Sequence, residues 1–517
     1  MNYFDLYSSY PDQTITVAWD SQVKDAAQTL GLAEILLARG SELFPRFAAC
    51  YAELRALPRG ARRALQRRIA RSSELVALFL ETRQSGTGRA LQYRLSRSLA
   101  GAALLLALGQ GVVQAATINV DGKARPGLNA ADGLCSLIEA IVNANADAQL
   151  FPDCEAGSGA DTIVLPAKAN VRLREVNDNT YGPTGLPLIT SAITIEGNGA
   201  RIRRQGGAPD FRLIAVSNSG DLTLQSVTLS GGYSPYRGGG YHGFGGGALN
   251  HGSLTIEGST ISGNTAEFGG SVFNLGTLTI RNSTIMQNTA SSGFFGGGGG
   301  VANVFYGVAT IQDSTISNNS APNHHGGGVY NRSGILSIQN STISGNSAPV
   351  GGGVYNSAVG YSTSSVTITN STISNNSASR GGGAVNCGCS LYPSYAILTL
   401  NRSLIAGNHA TVAPEVENFS VVTADNFNLF GANGNAGVTG FPPGVTDIVP
   451  APGGRVKNIL GPLRNNGGLN KTHALTLGSP ALDVVPFTDS SCTGTDQRGV
   501  TRPQGTGCDI GAFEREP

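Results

Sequence analysis

Residues 326–346 read GGGVYNRSGILSIQNSTISGN, and residues 351–376 repeat the pattern as GGGVYNSAVGYSTSSVTITNSTISNN. Each copy opens on glycines, carries an asparagine after a short apolar segment, and ends on a second asparagine. A segment that recurs at a spacing of about 20–50 residues is typical of a solenoid, a propeller or an array of small units. The structure formed by one copy therefore decides the fold of the central chain.

Five central copies align on a Ser-Thr-Ile segment, and a degenerate copy with Ser-Leu-Ile follows them. Their isoleucines are spaced by 24, 31, 27, 30 and 32 residues. Within one copy, Leu336 and Ile338 alternate with polar residues, so one face of a short strand is apolar. Gly, Asn and Ser separate strands that are too short for helices. A propeller blade takes about 40 residues and carries aromatic signatures that are missing here. We predict an all-β, right-handed, single-stranded parallel β-helix (a solenoid), its handedness following the rule for parallel crossovers.

The stacking of coils explains two rows of asparagine, because amides in equivalent positions can hydrogen-bond from coil to coil. A residue that recurs at a bend is explained by the bend, so we interpret both rows as structural. The first row follows the glycines and the second ends each copy: Asn250, Asn274, Asn303, Asn331, Asn356 and Asn386; Asn264, Asn288, Asn319, Asn346, Asn376 and Asn408.

The N-terminal part of the chain differs in charge from the rest. Residues 1–97 carry 14 Lys or Arg against 9 Asp or Glu, and the remainder carries 21 against 25. The larger part has no basic stripe of the kind that follows nucleic acid, so we expect no nucleic-acid partner. Residues 1–93 have helical spacing and a basic stretch; we predict a helical extension, either a solvated helix or sequence that the mature protein lacks.

A secretory signal pattern lies inside the chain. Residues 94–116 combine Arg94 and Arg97, an apolar run from Leu99 to Leu108, and small residues around Ala115. The run is shorter than a membrane span of about 20 residues. We therefore predict a signal peptide, a mature start near Ala116, export to the cell surface or medium, and no stable membrane span after cleavage.

Cysteine use agrees with export. Six of the seven cysteines follow the signal segment, and an even number in an exported chain predicts disulfides. By proximity we pair Cys135 with Cys154 and Cys492 with Cys508. Cys387 and Cys389 are left open, because a ring that closes over one residue is strained. Their spacings do not suggest a metal site, and we predict no metal.

Three stretches resemble known exported proteins. GLCSLIEAIVNANAD (133–147) is similar to the CSLREA segment of secreted bacterial β-helix proteins, with Ile138 in place of arginine. Residues 460–485 and 495–514 resemble a choice-of-anchor Q domain. The GGALN and GGSVFN units are similar to polymorphic outer-membrane-protein repeats. The resemblance implies secretion and display at the cell surface or outer membrane, and it implies no particular reaction.

The domain organisation follows from these segments. Leu137, Ala140 and Ile141 have helical spacing, so we expect a helix that covers the open first coil. The ranges are 1–93 for the extension, 94–116 for the signal peptide, 117–165 for this N-terminal cap, 166–415 for the repeats, and 416–517 for the C-terminal choice-of-anchor Q-like domain.

An enzyme is the main alternative, because parallel β-helices also carry polysaccharide lyases and glycoside hydrolases. A lyase of this kind needs carboxylates that bind Ca²⁺, and a hydrolase needs paired acids. Between residues 240 and 400 the only acids are Glu257, Glu267 and Asp313. We expect no cofactor, with Ca²⁺ as the alternative. The densest acidic group lies later and supplies the catalytic candidates Glu415, Glu417 and Asp425, which we place in a loop.

Aromatic residues in the insertions between coils are the better candidates for a site, because insertions on one face of a solenoid build its binding surface. The sequence thus predicts binding or adhesion to carbohydrate or a surface protein, with a structural envelope component as a further alternative. The candidate binding residues are Tyr236, Tyr241, Phe244, Phe294, Phe295, Tyr361, Tyr392 and Tyr395.

Overall fold

A computed structural model divides the chain into two units, residues 1–113 and 114–517. It describes residues 115–122, 127, 132–238, 240–291, 297–388 and 394–517. The helical extension and nearly all of the signal segment lie outside the described residues, as do Phe294, Phe295, Cys389 and Tyr392.

Residues 115–439 form a parallel β-solenoid built from three sheets, and from Ile214 to Val421 each coil contributes a strand to all three. Among the described residues, sheet 1 has 11 strands, sheet 2 has 10 and sheet 3 has nine. Sheet 1 consists of Thr117–Asn119, Asp161–Val164, Ala192–Glu196, Asp221–Gln225, Ser253–Glu257, Thr277–Arg281, Val308–Gln312, Ile335–Gln339, Thr363–Thr369, Tyr395–Asn401 and Val421–Thr423.

Sheet 2 carries the Ser-Thr-Ile segments. Its strands are Asn170–Leu173, Arg201–Arg204, Thr228–Ser230, Thr260–Ser262, Thr284–Met286, Thr315–Ser317, Thr342–Ser344, Thr372–Ser374, Leu404–Ile405 and Leu429–Phe430. Sheet 3 follows the glycines. Its strands are Ile214–Val216, Ala248–Asn250, Val272–Asn274, Val301–Val304, Val329–Arg332, Val354–Ser357, Ala384–Cys387, Val416–Asn418 and Val438–Thr439.

The remaining described elements are short. A three-stranded parallel sheet joins Tyr233–Ser234, Thr265–Ala266 and Thr289–Ala290. Two antiparallel pairs follow the solenoid, Leu460–Arg464 with Thr472–Leu475 and Val485–Pro486 with Gly507–Cys508, after a 3₁₀ turn at Val456–Asn458. One α-helix, Leu137–Ala146, completes the described secondary structure.

The core is one continuous column of aliphatic side chains. Equivalent strands pair in register, so that Leu336 lies between Ala309 and Val366, and Ile343 lies between Ile316 and Ile373. All of these side chains are buried. Because every coil buries its apolar face against the next, no coil is stable alone and the array folds as a unit.

The positions before each sheet 3 strand require glycine, because the backbone of the next coil lies too close for a Cβ atom. A Cβ atom at Gly353 would lie 2.5 Å from the carbonyl oxygen of Gly383 and 3.1 Å from Asn376 Nδ2. Gly351 has a φ of +66°, a left-handed conformation that glycine adopts without cost. The GGG element therefore lets successive coils approach while leaving room for the second asparagine row.

The sheets extend beyond the range that the repeats indicate, from Thr117 to Thr439. The helix Leu137–Ala146 begins with a capping box, in which Ser136 and Glu139 satisfy each other's backbone N–H groups. Its apolar side chains join the solenoid core, and Asn145 bonds to the backbone of Leu188 and Thr190. The helix is thus firmly attached to the early coils.

The C-terminal segment, residues 460–516, folds back along the outer face of sheet 2. Threonines on successive coils bond to it: Thr284 Oγ1 to Asn470 Oδ1 at 2.8 Å, Thr315 Oγ1 to the carbonyl of Lys471 at 2.6 Å, Thr342 Oγ1 to Gln497 Oε1 at 2.6 Å, and the N–H of Ala512 to Thr372 Oγ1 at 3.0 Å. At the degenerate copy, Leu404 and Ala406 replace Thr and Ser and pack in the apolar core of this segment.

Disulfides and buried charges hold the ends of the described chain. Cys135–Cys154 and Cys492–Cys508 are both disulfides, as predicted. Cys387 is also disulfide-bonded. In the C-terminal segment, Arg502 pairs with Glu514 at 2.8 Å, with both side chains buried. The ion pair gives each of these two buried charges an opposite charge, as burial requires.

Candidate functional site

The two asparagine rows form hydrogen-bonded columns inside the solenoid. In each, the Nδ2 of one asparagine donates to the Oδ1 of the next coil at 2.7–3.0 Å. Asn418 extends the first column beyond Asn386. The predicted asparagines are nearly or fully buried, so they are placed to support the bends and not to meet a ligand.

A third column of serines, which the sequence reasoning missed, runs beside them. From Ser283 onward, each serine Oγ accepts the backbone N–H of the serine one coil earlier, at 3.0–3.3 Å, and Ser259 Oγ accepts from Val227. The column consists of Ser259, Ser283, Ser314, Ser341, Ser371 and Ser403. The serine that opens the Ser-Thr-Ile or Ser-Leu-Ile segment of every copy was the available signal. The hydrogen-bonded column explains why serine recurs at that position.

The acidic candidates do not converge on one site. Glu415 takes the place that glycine holds in the preceding copies, and its carboxylate ends the second asparagine column. It accepts from Asn408 Nδ2 at 2.6 Å and from the N–H of Gly407 at 2.9 Å. Burial raises its pKa to about 8, although the three N–H donors from Gly407 and Asn408 act to lower it. Glu415 is therefore part of the core.

The other two acids are also engaged. Glu417 lies in a strand of sheet 3, not in the loop that we expected, with its side chain buried. Arg380 Nε donates to it at 3.1 Å. Asp425 accepts from the backbone and hydroxyl of Thr446, which lower its pKa. The three carboxylates thus have three different partners, and no paired-acid geometry links them.

The histidines form two separate contacts. His251 stacks on Tyr181 with ring centroids 4.4 Å apart, and His325 stacks on Tyr355 at the same distance. Burial lowers the pKa of both imidazoles to about 4, so they are neutral near pH 7. Within the described ranges, no three His, Cys, Asp or Glu side chains are placed to hold a metal ion.

Ser344 and His473 have the connectivity of a nucleophile and its base. Ser344 Oγ lies 2.9 Å from His473 Nε2, and His473 Nδ1 lies 2.7 Å from the carbonyl oxygen of Gly461. Both side chains are buried between sheet 2 and the C-terminal segment. A substrate cannot reach them there, so the pair attaches the C-terminal segment to the solenoid.

The predicted aromatic residues lie in two regions. Tyr236 and Tyr241 are exposed, while Phe244 is half-buried against Phe268 and Phe273. Tyr241 also contacts His251. This first region is a packed insertion. Tyr361 and Tyr395 lie in the second region, and they are 81% and 59% exposed.

The second region is a corner between sheet 3 and sheet 1. Four of five successive coils contribute aromatic side chains to it, and the sequence reasoning selected only two of these residues as candidates. We call it the aromatic corner: Phe305, Tyr306, Tyr361, Tyr395 and Phe419. With coils about 4.8 Å apart, it is about 19 Å long. The exposed aliphatic residues Val308, Ile335 and Val421 adjoin it.

The backbone of this corner is strained. Phe305 and Tyr306 have φ values of +48° and +69°, a region that bulky side chains rarely adopt. Their N–H groups donate to the carbonyls of Arg332 and Ser333 in the next coil. The strain leaves Tyr306 78% exposed. Strain of this kind is a pointer to function, because folding alone does not favour it.

Comparisons with protein-family profiles, curated proteins and solved structures found no match. No helix in the described part of the chain is long and apolar enough to cross a membrane. The geometry of the molecule itself therefore carries the functional argument.

Proposed function

We propose that this chain is an exported β-solenoid that binds a carbohydrate or a surface protein through its aromatic corner. The observation that carries the proposal is the exposure of five aromatic side chains on four of five successive coils. Monomeric proteins seldom expose such apolar surface without a partner, and Tyr is enriched in binding surfaces. The strained turn at Phe305 and Tyr306 supports the same location.

The proposed cellular setting is outside the cytoplasm. The disulfides Cys135–Cys154 and Cys492–Cys508 favour an oxidising compartment, and residues 94–116 have the pattern of a signal peptide. We also infer a right-handed solenoid whose first coil is closed by the helix Leu137–Ala146. The choice-of-anchor Q resemblance supports attachment of the C-terminal segment to a cell surface, where the protein would act in adhesion.

The binding role is tested with the full-length chain on immobilised neutral and acidic polysaccharides and on purified collagen. The variant Tyr361→Ala/Tyr395→Ala should lose roughly tenfold or more in affinity for whichever ligand the native chain binds. Phe487→Ala removes an exposed aromatic side chain elsewhere and serves as the matched control. Equal affinities of the native chain and the double variant would reject the corner as the site.

The same incubations separate binding from cleavage. New reducing ends or unsaturated products would identify a hydrolase or lyase and overturn a purely binding role. Retention of the polysaccharide without either product supports the proposed function.

A further inference from the structure

The outer face of sheet 1 carries an unbroken column of hydroxyl side chains. In-register pairing aligns one residue from each of the 11 described strands: Thr117, Thr162, Thr194, Thr223, Thr255, Thr279, Thr310, Ser337, Thr367, Thr399 and Thr423. These side chains are half-buried or exposed. Valine, isoleucine and aromatic residues suit such strand positions equally well, so β-propensity does not account for a hydroxyl on every strand.

The residues that flank this column divide the face into two parts. In the N-terminal part, charged residues accompany the threonines, including Asp221, Glu257 and Arg281. From the strand Val308–Gln312 onward, the flanking residues that are paired in register are uncharged, and the carboxylate of Asp425, two residues after Thr423, is bonded to Thr446. One side carries Val308, Ile335, Ser365, Ile397 and Val421, and the other carries Gln312, Gln339, Thr369 and Asn401. We call this C-terminal part, with its hydroxyls Thr310 to Thr423, the neutral face.

The neutral face has three parallel strips of different chemistry. The aromatic corner and its aliphatic neighbours form one edge, the hydroxyls form the middle, and the amides form the other edge. The hydroxyls of Thr310, Thr367 and Thr399 have no hydrogen-bond partner within the described part of the chain. They are therefore available to a ligand.

A sugar ring presents the same combination, with apolar C–H faces and a hydroxyl edge. Aromatic and aliphatic side chains pack against the C–H faces, while hydroxyls and amides exchange hydrogen bonds with the edge. A polyanion would lose hydration on the hydroxyl and amide strips and gain no cation there. The nearest arginines lie at the aromatic edge, where Arg332 lies over the ring of Phe305, and Arg380 lies over the ring of Phe419 and pairs with Glu417. A globular protein partner is less suited, since protein interfaces are centred on desolvated anchors in pockets and this face is flat and repetitive.

From these observations we propose that the neutral face binds an uncharged polysaccharide that lies along the solenoid axis. The identical chemistry on consecutive coils, about 4.8 Å apart, fits a polymer better than a single sugar. The inference rests on the proposed function, because the aromatic corner forms one edge of the site.

The test compares lysine substitutions on the two parts of the same column. Thr367→Lys/Thr399→Lys places two ammonium groups on the neutral face, and Thr223→Lys/Thr255→Lys places two on the charged part. The probes are xyloglucan and galactomannan as neutral polysaccharides and polygalacturonate as the acidic one, in native affinity electrophoresis with the full-length chain. Thermal melts establish that each variant folds.

We expect the neutral polysaccharides to retard the native chain at low and high salt alike, because no charge pair contributes to binding. Thr367→Lys/Thr399→Lys should weaken this by roughly tenfold or more, and Thr223→Lys/Thr255→Lys should bind like the native chain. Equal loss in both variants, or no retardation by either neutral polymer, would overturn the inference.

One result separates this inference from the proposed function. If only polygalacturonate or collagen binds, and Tyr361→Ala/Tyr395→Ala abolishes that binding, the aromatic corner stands as a site and the uncharged ligand is rejected. If the tyrosine variant changes no binding at all, the proposed function fails as well.

Discussion

Buried polar side chains set the conformation of each bend at the level of single residues. Asn346 illustrates the pattern: it accepts from the N–H and the Nδ2 of Asn319, and it donates to Asn376 Oδ1 and to the carbonyl of Ile316. The same arrangement recurs on each coil until Glu415 takes over the acceptor role. The buried side-chain amides of Asn319 and Asn346 are thereby paired, as burial requires.

Replacing one asparagine should therefore be costly. Asn346→Ala removes the acceptor of the Asn319 N–H and Nδ2 and the donor to the carbonyl of Ile316 in the core, so we expect a loss of about 3 kcal/mol in the free energy of unfolding. Gln339→Ala, an exposed position in the same coil, should change it by less than about 0.5 kcal/mol. Urea denaturation followed by circular dichroism measures both. Similar values would contradict a structural role for the column.

Glu415 should make stability depend on pH. Its pKa is about 8 in the folded chain against an ordinary value of 4.5, so the folded state holds the proton more tightly than the unfolded state. The stabilisation is complete below about pH 4.5 and is lost as the pH rises through about 8. Glu415→Gln should flatten this part of the profile of melting temperature against pH. Glu175→Gln, at an exposed site, is the control, and an unchanged slope in Glu415→Gln would rule out Glu415 as the cause.

At the level of secondary structure elements, the outer face of sheet 2 changes along the solenoid from a face that the C-terminal segment leaves uncovered to one that it covers. Thr260 lies on a coil that the C-terminal segment does not bond, whereas Thr342 and Thr372 are buried beneath that segment. The isoleucine of every copy points into the core. Each residue of the repeated Ser-Thr-Ile therefore has a different partner. The serine bonds to the previous coil, the threonine bonds to the C-terminal segment where that segment covers it, and the isoleucine packs in the core.

Thr342→Val tests this docking, because valine has the shape of threonine without its hydroxyl. The change leaves Gln497 Oε1 buried without its donor and should cost about 1–3 kcal/mol. We expect faster amide hydrogen exchange in residues 460–516, while Thr260→Val leaves that exchange unchanged. Equal protection of residues 460–516 from hydrogen exchange in both variants would show that the threonine hydrogen bonds do not hold the C-terminal segment.

At the largest scale, continuous stacking of the coils within residues 115–439 gives sheets with long, regular faces. The described chain starts its first strand at Thr117, just after the predicted signal segment. Such faces agree with the proposed binding of an extended ligand.

Export predicts a specific mature terminus. Mass spectrometry of the protein recovered from the periplasm or medium should show a chain that starts near Ala116, because small residues precede that position and the first strand follows it. Recovery of an exported chain that begins at Met1 would contradict the signal peptide at residues 94–116.

The repeat, the apolar alternation and the asparagine rows were readable from the sequence because each depends on local spacing. Period-2 alternation specifies which face of a strand is buried, and a recurrent bend residue specifies stacking. The pairing of Cys135 with Cys154 and of Cys492 with Cys508 was also predictable, since each pair is close in the chain. What these signals share is that neighbouring residues determine the outcome.

Only the tertiary structure placed residues that are distant in sequence against each other. It brought Gln497 to Thr342, buried Glu415 at the end of a column, and gathered Phe305, Tyr361 and Phe419 at one corner. Coil lengths vary, so the sequence does not reveal which insertion residues share a face until the in-register pairing aligns them. The sequence by itself determined a stack of coils, and the lateral packing of those coils decided which side chains remain exposed.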